Sequence, residues 1–178
     1  MEGIAEFREK KDEFFRNGHE SPIPPSQRAS FAGLKYFPEN PATRFVSDLE
    51  KVPEEDVSFT TSTGETKVYK KIGRLKFEVE GQSAQLTLFQ ADSGSYFLPF
   101  RDATSVQETY GAGRYVEVKE VAPSTSSGLP TGGKKFEIDF NYAYNPYCAY
   151  SSDYSCPLPP VENWLKVPIK AGEMKLHD

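Results

Sequence analysis

Two periodicities divide the chain. Over residues 2–16 the apolar positions recur at helical spacing: Ile4, Phe7, Phe14 and Phe15 fall within an arc of about 100°. This predicts an amphipathic helix. Lys11 lies in the same arc, where a long side chain carries its charge out over apolar surface. Glu6 and Lys10 form a favourably ordered i,i+4 pair. Asn17-Gly18 reads as a helix stop, with glycine in the left-handed conformation. Pro22, Pro24 and Pro25 punctuate residues 19–33, where a short helical turn around Ser26–Phe31 ends at Gly33.

From residue 44 the period becomes two, the signature of strands with one buried face. Arg44–Ser47, Val57–Thr61, Thr66–Lys71, Leu75–Val79, Leu86–Phe89, Tyr96–Phe100, Arg114–Val121 and Lys135–Asn141 are predicted strands, with Trp164–Ile169 a closing candidate. Ser62–Glu65 and Gly81–Ser83 are tight reversals, and Ser124–Gly133 is a Ser/Thr/Gly/Pro-rich hairpin loop. There is no internal repeat and no βαβ alternation. The expected fold is mainly β: an antiparallel β-barrel or sandwich of about eight strands with a short N-terminal helical region. Residues 1–178 make a single domain in this reading, with 1–33 packed on a β domain of 34–178.

Two stretches break the alternation. Residues 139–163 hold five tyrosines, both cysteines and four prolines. So many large aromatics imply an ordered covering over one end of the sheet. In residues 102–115, Asp102-Ala103-Thr104 follows one strand and Tyr110-Gly111-Ala112-Gly113-Arg114-Tyr115 opens the next. Gly111-Ala112-Gly113-Arg114 lacks the Gly-Lys-Ser/Thr ending of a phosphate loop and the third glycine of a dinucleotide fingerprint. It is read as a tight turn or bulge entering a strand.

The runs Phe100–Tyr115, Asp139–Tyr150 and Cys156–Asn163 resemble the signature blocks of a prokaryotic family, domain of unknown function 1684. Phe7-Arg8-Glu9-Lys10-Lys11, Ser21-Pro22, Phe31–Phe37 and Ala171-Gly172-Glu173 are similar too, so the resemblance spans nearly the whole chain. It implies no catalytic residues, because that family carries no assigned activity. One departure stands out. Family members commonly follow the Asp-x-Thr turn with a small residue and glycine, whereas this chain has Ser105-Val106.

Charge narrows the function classes. The net charge is −5, and Lys10-Lys11, Lys70-Lys71 and Lys134-Lys135 are isolated pairs. Sequence-independent nucleic-acid binding needs clustered cations, so it is not expected; an anionic membrane surface is disfavoured for the same reason. No stretch approaches the ~20 apolar residues of a membrane-spanning helix. The first twenty residues lack the apolar core of a signal peptide. The expected address is the cytoplasm, unless a signal peptide preceded this sequence. Oligomeric state is left open.

The candidate chemistry is sparse. Cys148 and Cys156 read as buried free thiols, a disulfide or, with ligands from elsewhere, a metal site. The only histidines, His19 and His177, lie near the termini, so no metal site and no cofactor are assigned. Arg114, Val116 and Val118 share one face of a strand, which points Arg114 inward. A buried guanidinium needs an anionic partner, and Asp102 and Asp139 are the candidates. Either an internal ion pair pins the covering segment, or Arg114 serves a pocket. In the second case Arg114, Tyr110, Asp139, Asn141, Tyr144, Asn145 and Tyr150 line a site for a small polar or anionic ligand. Alternatives are a hydrolase using a carboxylate with Tyr/Asn donors, for which Asp102, Asp139, Glu162 and Glu173 are available, and a structural or partner-binding domain.

Overall fold

The structure is a computed structural model and describes residues 2–121 and 133–177. The predicted loop over 124–133 therefore lies outside the described residues, apart from Gly133. Helix α1 (Ile4–Asn17) and a one-turn α2 (Pro25–Arg28) precede eight strands: β1 (Arg44–Thr60), β2 (Thr66–Val79), β3 (Gln82–Gln90), β4 (Tyr96–Phe97), β5 (Pro99–Phe100), β6 (Arg114–Tyr115), β7 (Val118–Val121) and β8 (Lys135–Asp139). Six form one antiparallel sheet in the order β4-β3-β2-β1-β8-β7, and β5 pairs with β6 in a second small sheet.

The large sheet curls until its two edges almost meet, which makes the fold a nearly closed barrel. Across the gap Tyr96 donates to Glu120 at 3.1 Å, and its ring packs edge-on against Phe136 at 5.0 Å. The small sheet reinforces the seam, where the Val116 amide donates to the Leu98 carbonyl at 3.2 Å. An unpaired edge invites association with other chains, so these contacts both close the cylinder and protect its rims.

Inside, Leu75, Leu86, Leu88, Phe100, Phe136, Ile138 and Phe140 are all completely buried. They are the inward positions of the period-two pattern. Side chains of one contiguous cluster fill the barrel along this core.

Several predicted boundaries move. Arg44–Ser47 and Val57–Thr61 belong to the single strand β1, whose register against β2 shifts between Lys51 and Glu55. Pro53 lies in that interval and has no N–H to give the ladder, so a local irregularity accommodates it. Thr66–Lys71 and Leu75–Val79 likewise merge into β2, with a second shift between Lys71 and Gly73. Conversely, Tyr96–Phe100 and Arg114–Val121 each divide as the chain passes from one sheet to the other. Trp164–Ile169 is not a strand; it retains one isolated bridge, Arg101 to Trp164.

The stop at Gly18 is also different. Its φ is −65°, not left-handed. Glycine is needed there because a Cβ would lie 2.4 Å from the Phe14 carbonyl oxygen and against its ring.

Val106, where the family resemblance leads one to expect glycine, has φ +81°. A β-branched residue held there costs of order 1–3 kcal/mol, against about 0.5–1 kcal/mol of extra chain entropy lost by glycine. We therefore expect Val106→Gly to raise stability by about 1 kcal/mol, read as a higher urea midpoint at unchanged slope. A lower midpoint would refute the strain assignment.

Candidate functional site

Arg114 does point inward, and it is 1 % exposed. Its Nη1 donates to the Ala171 carbonyl at 2.5 Å and the Glu173 carbonyl at 3.1 Å. Nη2 donates to the Ile169 carbonyl at 2.9 Å and lies 3.5 Å from Asp102 Oδ1. The cation is stacked 5.0 Å above the Phe100 ring. Burial pulls the guanidinium pKa down, and the Asp102 charge opposes that pull. Of the two carboxylates considered, Asp102 is the partner. Asp102 is committed elsewhere too: it accepts from the Ile169 amide at 2.6 Å and from Thr104 Oγ1 at 2.8 Å. Arg114 and Asp102 thus fasten the C-terminal stretch 169–173 across the end of the barrel.

That stretch carries a second buried group. Glu173 is 1 % exposed. Its Oε2 accepts from the Asn145 amide at 2.8 Å and from Tyr150 Oη at 2.7 Å. Its Oε1 meets Lys11 Nζ. Lys11, read from its place in the apolar arc as reaching for solvent, instead delivers its ammonium to an interior carboxylate. Asn145 adds bonds from Nδ2 to Tyr150 Oη and the Met174 carbonyl, both at 3.1 Å. The chain must kink tightly just before Glu173. Gly172 has φ +75°, and a Cβ there would sit 2.6 Å from the Ala143 carbonyl.

The seven candidate residues therefore divide among several places. Arg114, Asn145 and Tyr150 converge on residues 169–174. Asp139 and Asn141 pair with each other: Asp139 Oδ1 accepts from the Asn141 amide and Nδ2, capping the 3₁₀ turn Phe140–Tyr142. Asn141 also exchanges hydrogen bonds with the Asn40 backbone at 2.8 and 3.0 Å. Tyr110 stands beside Cys148, and Tyr144 donates to Glu117 at 2.6 Å. Glu173 was considered only as a carboxylate for the hydrolase alternative, and its partner Lys11 was not among the candidates. The apolar-arc position of Lys11 was the one signal for this pair, and it did not name the carboxylate. Glu162, another carboxylate considered, accepts from Thr87 and pairs with Lys71 at 3.4 Å.

A groove of about 620 Å³ runs between α1 and the outer face of the barrel. Phe7, Phe14, Tyr142, Tyr144 and Tyr147 supply aromatic surface to it, and Asp139 and Tyr144 are the candidate residues it includes. Its carboxylates already have donors. Glu2 meets Lys10, Glu117 meets Tyr144, Glu137 meets Arg44 through both oxygens at 3.1 Å, and Asp139 meets Asn141. Lys11 is held by Glu173. Lys119 also lines the groove and has no ion-pair partner among the described residues.

The two cysteines are free thiols. Cys148 is half-buried on the 3₁₀ turn Tyr147–Ala149, and Cys156 is buried. The Cys148 amide donates to Cys156 Sγ at 3.3 Å, and Tyr110 Oη lies 3.6 Å from Cys148 Sγ. Among the described residues no group of three or more His, Cys, Asp or Glu side chains is arranged to hold a metal ion. No helix among them is long and apolar enough to cross a membrane.

Residues 29–174 match the family model described as a protein of unknown function (DUF1684). The chain belongs to this family. This DUF1684 chain is also similar to a solution NMR structure of an uncharacterized protein from Haloarcula marismortui. The two share 38% identity with a TM-score of 0.69, over 96% of this chain and 91% of that one. No curated protein matches the chain.

Two outcomes follow for this DUF1684 chain. Asp102→Asn leaves Arg114 buried without its counter-charge, which costs about 3–5 kcal/mol. Urea unfolding monitored by circular dichroism should show that loss, and a change below 1 kcal/mol would mean the carbonyls alone suffice. Separately, burial raises the phenol pKa of Tyr36, Tyr115, Tyr144 and Tyr150. Unfolded phenols titrate near ~10, so above that pH the unfolded chain releases protons that the folded one retains. Stability should hold below about pH 10 and decline above it, with phenolate absorbance rising only as the protein unfolds.

Proposed function

We propose that the protein is a binding module for a small amphipathic anion, taken up in the groove between α1 and the barrel wall. The observation that carries this reading is a cation, Lys119, that lines an otherwise aromatic cleft without an ion-pair partner among the described residues. Every carboxylate lining it is already engaged by a donor on the protein, while Lys119 is not paired with any described residue.

A ligand's apolar body would lie on Phe7, Tyr142 and Tyr147, where ring faces offer large area at little entropic cost. Its anionic end would meet Lys119. A cleft of this volume is within the usual range for small-molecule sites. Asp139 and Tyr144 belong to the lining in this reading. Arg114, Asn145 and Tyr150 act beneath it by fixing the floor, and Asn141 holds the turn that bears Tyr142.

Titration calorimetry with decanoate and with anilinonaphthalene sulfonate tests the proposal. Saturable binding at one site is expected for at least one probe. Lys119→Glu should weaken it by about tenfold, equivalent to about 1.4 kcal/mol, without lowering the melting temperature, since Lys119 is exposed. Absence of saturable binding by both probes, or equal affinity in the variant, would defeat the proposal.

A further inference from the structure

Neither cysteine is in the lining of the groove, and the thiol pair has its own chemistry. Cys156 is held rigidly against the β1–β2 hairpin. Its amide donates to Ser62 Oγ at 3.1 Å, its carbonyl accepts from the Ser62 amide at 2.9 Å, and the next residue's carbonyl accepts from Tyr115 Oη at 2.5 Å. Cys148 arrives from the opposite side on its 3₁₀ turn, so that Cys156 Sγ is 3.3 Å from the Cys148 backbone nitrogen. Eight positions of sequence separate the two residues, and the intervening loop is already closed. Joining the sulfurs asks for little chain movement.

We infer that Cys148 and Cys156 form a peroxide-reactive dithiol, with Cys148 the attacking sulfur and Cys156 the resolving one. Exposure assigns the roles: Cys148 is half-buried, whereas Cys156 is 8 % exposed. The electrostatics agree. The hydrogen bond from the Cys156 thiol, helped by Tyr110 and Ser62 and opposed by burial, pulls the Cys148 pKa down to about 6. Donating that bond, together with burial, pushes Cys156 up. The proton therefore resides on Cys156 and the charge on Cys148. Tyr110 from the 102–113 loop, Lys67 and Tyr69 from β2, and Tyr115 from β6 are the other titratable groups acting on the pair.

The oxidant is a hydroperoxide. The Cys148 thiolate attacks its terminal oxygen. An S–O bond forms, the O–O bond breaks, and the departing alkoxide takes a proton from solvent to leave as alcohol, or as water from hydrogen peroxide. Cys156 sulfur then attacks the sulfenic sulfur of Cys148. The S–S bond forms, the S–O bond breaks, and hydroxide departs with the Cys156 proton as water. Two electrons pass from the two sulfurs to the peroxide.

The test uses the reduced 178-residue protein and stoichiometric hydrogen peroxide at pH 6 and pH 8, with peptide mass mapping after alkylation. An intramolecular Cys148–Cys156 bond is expected. Its rate should rise only about twofold between the two pH values, whereas a free cysteine thiol gains about 75-fold from its thiolate fraction. Cys156→Ser should stop at a dimedone-reactive sulfenic acid on Cys148. Cys148→Ser should lose at least about tenfold in peroxide consumption, the order expected when the low-pKa thiolate is removed. A wild-type rate that climbs like a free thiol, dimedone on Cys156 in place of Cys148, or the absence of the intramolecular bond would each overturn the inference. Should the serine variants fail to fold, the wild-type map and pH profile decide it alone.

Discussion

The fold depends on a charge that has been taken out of water. An arginine inside a protein this size is tolerable only if its donors are met and its charge is balanced. Arg114 meets that condition with three carbonyls of the C-terminal stretch and with Asp102. Asp102 in turn holds the Ile169 amide. The same few atoms thus fix the loop after β5, the start of β6 and the stretch 169–173. Next to them, Glu173 binds α1 through Lys11 and the tyrosine-rich covering through Asn145 and Tyr150. The barrel supplies hydrophobic stability, and this pair of interior charges determines how everything outside the barrel is seated on it.

Much of the architecture was legible from period two alone. The inward residues Leu75, Phe77, Leu86, Leu88, Phe136 and Ile138 are the ones the alternation selects, and all are buried. Strand continuity was not legible. A proline at 53 and a glycine at 73 look like strand ends, yet the sheet absorbs both through register shifts because tertiary pairing on either side outweighs the local interruption. The division of Tyr96–Phe100 was equally hidden. Pattern reports which face is buried and is silent about which partner strand lies alongside.

For the site, the inward direction of Arg114 could be read from the valines that share its face, and Asp102 was one of two partners in view. What remained out of reach was the set of backbone carbonyls, since a carbonyl has no sequence signal. Their engagement changes the meaning of the arginine, from a group awaiting a ligand to a fastener. Lys11 carried a visible clue, a cation in an apolar arc, but the sequence did not reveal a carboxylate 162 positions away at Glu173.

The placement of these contacts bears on how the chain is made. Lys11, Asp102 and Arg114 come first, and the carbonyls that accept from Arg114 lie at 169–173, 55 to 59 residues further along the chain. Until that stretch has been made, the guanidinium lacks its carbonyls and the helix ammonium lacks Glu173. The barrel strands are therefore free to pair while one end stays unsealed, and sealing that end is set by the slow search that distant contacts impose.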